Sequence, residues 1–231
     1  MRHLTFLFLT VALTTTVFGQ QNKFDIGIIG GPSVSFLRGN EFIKANHDPT
    51  FVFSGGLSLQ YNFPKIFSLR TDMQFERKGS VVVVVSTFTD IVGNVTGQGI
   101  IYVNSDYLTA PILLRSSFGK KVKFFVNTGT FFGYLIKQTF ATTTPNYPNI
   151  NIDNTRNDKR LDLGATAGFG LSIPIKDKFL ISWEIRDNYG LLNVSKVPVV
   201  NDGTVKTNST NLLIGFAYRL GTRQTETKKK R

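Results

Sequence analysis

Along most of the chain, large apolar residues alternate one for one with small or polar ones, the period of a half-buried β-strand. The clearest case sets Leu69, Thr71, Met73 and Phe75 against Arg70, Asp72, Gln74 and Glu76. Another sets Leu212, Ile214, Phe216, Tyr218 and Leu220 against Leu213, Gly215, Ala217 and Arg219. Read throughout, the pattern predicts eight strands: Phe24–Phe36, Phe51–Asn62, Phe67–Val85, Ile100–Phe118, Val122–Phe140, Lys159–Ile173, Phe179–Tyr189 and Asn211–Leu220. No helical periodicity interrupts them. Pro111 cannot donate to a strand ladder, so a bulge is expected there.

The predicted connections alternate. Leu37–Thr50, Ser86–Gly99, Ala141–Asp158 and Leu191–Ser209 are long; Phe63–Ile66, Gly119–Lys121 and Pro174–Lys178 are short. Outer-membrane barrels have this asymmetry, with short periplasmic turns and longer outer loops. The expected fold is all-β, an eight-stranded antiparallel up-and-down transmembrane barrel spanning 20–221, with both termini periplasmic. Large apolar side chains then face lipid, and small or polar ones face a narrow lumen. That phase sends Asp25, Arg70, Asp72, Glu76, Arg115, Asp162, Glu184, Arg186 and Arg219 inward, where mixed signs can pair. Aromatics gather near both strand ends. Tyr61, Phe63, Phe67, Phe118, Phe124, Phe179 and Tyr218 lie toward the short turns, and Phe36, Phe51, Tyr102, Tyr134, Phe140 and Tyr189 toward the long loops, as interfacial girdles do.

Composition agrees. Charged residues are only 18% of the chain, against about 25% for a typical soluble domain. The start, 1–19, has a basic Met1-Arg2-His3 and an apolar Leu4–Leu13, which reads as a secretory signal peptide cut before Gln20. That apolar run is too short to span a bilayer as a helix. There is no cysteine, so disulfides, thiolate metal sites and thiol nucleophiles are excluded. The net charge of +12 resides partly in a basic tail, 222–231. In an exported barrel it points to anionic lipid headgroups rather than nucleic acid.

Several segments together resemble a known family: Ile26–Ser33 (IGIIGGPS), Phe75–Gly79 (FERKG), Tyr107–Arg115 (YLTAPILLR), Gly129–Leu135 (GTFFGYL), Leu163–Ser172 (LGATAGFGLS) and Ile185–Asn193 (IRDNYGLLN). In this order they are similar to the PorT-like outer-membrane β-barrel proteins of the Bacteroidetes lineage. The resemblance covers nearly all of the chain after the signal. It departs at Thr109, where the family usually has an acid, and in the basic tail. It implies an integral outer-membrane protein, and its best-known member type assists secretion to the cell surface.

Candidate chemistry is sparse. His47, beside Asp48, is the only histidine after the signal. A barrel enzyme acting on envelope lipid would need it near a serine or carboxylate such as Ser54, Ser86 or Asp106. Asp153, Asn154, Asn157 and Asp158 offer oxygen ligands of the kind calcium takes, but an Asx-rich turn has the same composition. Asn94, Asn193 and Asn208 begin glycosylation triplets, which arise readily by chance in such loops. The reading is therefore non-enzymatic, with no cofactor or metal. The protein is expected to support secretion, binding or envelope architecture through its loops and lumen. Alternatives are a lipid acyltransferase or deacylase using His47, or a narrow channel for small solutes. Expected partners are outer-membrane lipid and lipopolysaccharide, the barrel assembly machinery during insertion, and a secretion-system protein. Nucleic acid is not expected, and the barrel is expected to be monomeric.

Overall fold

A computed structural model describes residues 24–84, 99–143, 149–176 and 178–220. The signal segment, the basic tail, Ser86 and the Asn94 triplet lie outside the described residues. The alternating segments form β1 (Phe24–Gly39), β2 (Thr50–Asn62), β3 (Phe67–Val84), β4 (Gly99–Phe118), β5 (Lys123–Thr143), β6 (Ile150–Asp153), β7 (Leu161–Ile175), β8 (Phe179–Gly190) and β9 (Val205–Leu220). Every pairing is antiparallel between ring neighbours, and β1 pairs with both β2 and β9. The eight long strands therefore close into an up-and-down barrel. Closure removes the open edges that a flat sheet would present to lipid.

Side-chain burial is inverted relative to a water-soluble barrel. Ile26, Ile28, Leu57, Met73, Phe124, Phe169 and Ile214 point outward and are exposed. Arg70, Asp72, Glu76, Arg115, Asp162, Glu184 and Arg186 point inward and are buried. At the short-turn end the outward aromatics touch one another. Tyr61 lies 5.0 Å from both Phe24 and Phe63, and Phe179 lies 5.4 Å from Tyr218.

Four details differ from the sequence reading. Pro111 causes no bulge: the β3–β4 register is the same on both sides of it. The register shift falls instead on the β4–β5 pair, between Asp106 and Tyr107. The first long loop contains a short helix, α1 (Glu41–Asn46), whose N-terminus is capped by Asn40 accepting from the Ile43 amide. Strand β9 begins at Val205, six residues before the apolar alternation, because its first half turns polar side chains into the lumen. Finally β6, inside the third long loop, adds to β5 at Thr139–Thr142, above the point where β7 leaves it.

A filled lumen and its two ends

Two polar clusters occupy the barrel interior. In the lower one, nearer the short turns, Arg186 bridges two acids. Its Nε donates to Glu184 Oε1 at 2.6 Å and its Nη1 to Asp72 Oδ2 at 2.7 Å. Arg70 donates to Asp72 at 2.8 Å, and Arg115 donates to Glu184 at 3.1 Å and to Asn127 at 2.8 Å. Arg219 and Asp25 pair side by side at 2.8 Å on the last and first strands, closing the seam.

The upper cluster is built on Lys78, whose side chain is fully buried. Its ammonium donates to Asp162 Oδ2 at 2.9 Å and lies 3.9 Å from Glu76 Oε2. Thr207 also donates to Asp162, at 2.6 Å. Ser209, Asn188 and Asn211 all donate to Glu76 Oε1. The sequence reading did not include Lys78 among the inward charges. The signal was present, because the Arg70, Asp72, Gln74, Glu76 alternation continues to Lys78. Its inclusion makes the interior neutral: Arg70, Lys78, Arg115, Arg186 and Arg219 face Asp25, Asp72, Glu76, Asp162 and Glu184.

Two inward phenylalanines fix the cations. Phe125 lies opposite Gly170 and Phe131 opposite Gly164 across the β5–β7 pair. A Cβ on either glycine would come within 2.6 Å of the facing ring, so glycine makes room for the aromatic. The Arg115 guanidinium lies 3.7 Å from the Phe125 ring centre, and the Lys78 ammonium 4.1 Å from that of Phe131. Each cation thus rests on a ring face as well as beside a carboxylate.

The two ends of the barrel differ. At the loop end, Leu37, Ile43 and Val103 form an apolar cluster, flanked by Val82, Phe140, Val199 and Val205. Ile43 of α1 supplies the cap. At the short-turn end a cavity of about 680 Å³ opens outward.

The candidate catalytic residues are not assembled. His47 Nδ1 is 2.7 Å from Ser80 Oγ, but Ser80 has 0% exposure, so no ester could reach it. Ser54 is also buried and donates to Asn211. Asp106 forms a two-point pair with Arg77. Burial lowers the His47 pKa, which favours the neutral ring.

The polar residues of the third loop close a turn on one another. Thr155 donates through both its amide and hydroxyl to Asp153, Asn157 donates to Asn154, and Asn154 to Gln138. Asp158 is buried, and its pKa is pushed up to about 6 by desolvation. Asn193 accepts from the amides of Ser195 and Val205, and Asn208 is buried.

Solved structures of similar shape are outer-membrane barrels. Ail of Yersinia pestis has 15% identity, covering 85% of this chain and 99% of that one, with a TM-score of 0.40. Neisserial surface protein A has 12% identity over 85% and 96%, with a TM-score of 0.45. OprG of Pseudomonas aeruginosa has 12% identity over 88% and 99%, with a TM-score of 0.44. At these values none bears on what the chain does. No curated protein matches the chain. The sequence model of the outer membrane protein beta-barrel domain matches residues 18–196. A closed β-ring, apolar outside and polar within, fits that description, and the chain belongs to this family of outer-membrane barrels.

Proposed function

We propose that this protein is a non-conducting, non-enzymatic barrel of PorT-like type, with its termini and short turns in the periplasm. Its loop-side surface holds a protein partner, in support of secretion or envelope architecture. The observation that carries this reading is the filled lumen, in which ten charges pair below an apolar cap. A barrel sealed in this way has its outer surfaces left for function. Strand length adds support. A membrane strand needs about 9–11 residues to cross, yet β3, β4 and β5 have 18, 20 and 21. The excess builds a sheet above the lipid band, extended by the exposed β6. Below it, the outward apolar band meets outer-membrane lipid and lipopolysaccharide.

The test is affinity purification from native membranes after mild cross-linking, beside a deletion strain scored for its secreted proteins. A stoichiometric partner, together with loss of secreted proteins or altered outer-membrane composition, is expected. A barrel recovered alone from native membranes, with a deletion strain unchanged in secretion and envelope, would refute the reading.

A further inference from the structure

The short-turn mouth combines a concave shape with one sign of charge. Its cavity of about 680 Å³ is lined by Lys65, Lys120, Lys121, Lys123, Arg115 and Arg219, and among the described residues no carboxylate lines it. That volume falls within the range of about 300–1,000 Å³ usual for small-molecule sites. The two arginines at its floor are already paired, with Glu184 and Asp25. Lys65, Lys120 and Lys121 form no ion pair with any described carboxylate. Their charge is therefore available, and a cleft with low-dielectric walls focuses the potential of such groups.

Turn geometry gives a second, independent observation. Lys65 has a backbone φ of 76° and Lys176 one of 47°. An L-residue is disfavoured in that left-handed region, and glycine adopts it freely. Glycine occupies such a position in only one of the three short turns, at Gly119, which Lys120 and Lys121 follow. Lysine thus stands at two turn positions where the backbone prefers glycine. Retaining a disfavoured conformation is informative when the side chain has a use.

We propose that this mouth is a binding site for phosphate-bearing anions, either a small soluble polyphosphate or the phosphate of an anionic lipid headgroup. The lysines act as mobile point charges around the rim, a role for which the ammonium is suited. The paired arginines and the uncharged side chains between them form a polar floor. The site lies at the opposite end from the partner surface proposed above and does not depend on it.

The experiment uses the full chain in phosphatidylcholine nanodiscs, titrated calorimetrically with pyrophosphate at low ionic strength. In parallel, the phospholipid retained from discs containing phosphatidylglycerol is measured. The comparison variant is Lys65→Gln/Lys120→Gln/Lys121→Gln. These residues are exposed at turns, and the heat-dependent gel mobility of the variant checks that its barrel is folded. Removing three of the rim charges should weaken binding by tenfold or more, about 1.4 kcal/mol. Saturable pyrophosphate binding that the variant loses supports a soluble anion. Retention of phosphatidylglycerol that the variant loses, without pyrophosphate binding, supports a lipid headgroup. Three results overturn the proposal: neither ligand binding, equal binding by the variant, or saturation by an acidic peptide but not by phosphate.

Discussion

The Lys78 ammonium lies 2.9 Å from Asp162, on a strand 84 residues further along the chain, and both side chains are wholly buried. Removing one partner of a buried pair leaves a charge without compensation, which typically costs about 3–5 kcal/mol. Lys78→Met is therefore expected to destabilise the barrel by about that amount. Adding Asp162→Asn should restore part of it, because Asp162 is then no longer an orphaned charge, while Glu76 still lacks the Lys78 ammonium. Guanidinium unfolding in detergent micelles, arranged as a double-mutant cycle, measures both effects.

The lumen is closed in two tiers, so opening one should leave it closed. The wild-type barrel is expected to give no conductance steps in a planar bilayer. Leu37→Ala/Ile43→Ala/Val103→Ala removes the apolar cap but keeps the charged clusters, and should also be silent. Discrete steps from the wild type would contradict a sealed interior.

Asp158 makes the third loop pH-dependent. Its carboxyl, with a pKa of about 6 against an ordinary 3.8, favours the protonated folded form. Its stabilising contribution is thus fully present below about pH 4 and lost as pH rises through about 6. The effect is at most about 3 kcal/mol, at roughly 1.4 kcal/mol per unit. Nearby, the Lys159 amide donates to Val194 and the Lys196 amide to Asn157, tying the third and fourth loops together. Hydrogen exchange at these two amides, corrected for the intrinsic rate, should show protection falling across that window. Asp158→Asn should flatten the profile.

His47 is expected to be structural. The purified protein should not turn over lipid A or an ester analogue, and His47→Ala should not change that. The variant should lose about 1 kcal/mol, the usual net value of one hydrogen bond, here the contact with Ser80. Turnover that vanished with His47 would establish the enzyme reading instead.

The strands were legible because one periodicity governs both lipid and lumen faces, so Leu69 to Glu76 shows its orientation without any knowledge of neighbours. Where the outward face ceases to be apolar, the signal fades. Val205–Thr210 belongs to β9, but Thr207 and Ser209 turn inward, Asn208 on the other face bonds Asp187, and the sequence there looks like loop. Helix α1 buries only Ile43, too little for a helical period. Strand β6 is exposed on all four residues, and only the length of β5 determines that it pairs. The lumenal charges could be enumerated from phase, but not matched. Arg186 meets Asp72 across the barrel through closure of the whole ring, which no local pattern encodes.

Those long-range pairs bear on how the barrel forms. Asp25 and Arg219 are 194 residues apart and Arg186 and Asp72 are 114 apart, so no consecutive subset of strands satisfies them. A half-built sheet would carry Asp25 and Arg219 unmatched into the bilayer and leave Arg186 and Asp72 only their same-strand partners, Glu184 and Arg70. Assembly should therefore be strongly cooperative, with ring closure as the committing step and with the first and last strands zipped together by their own ion pair.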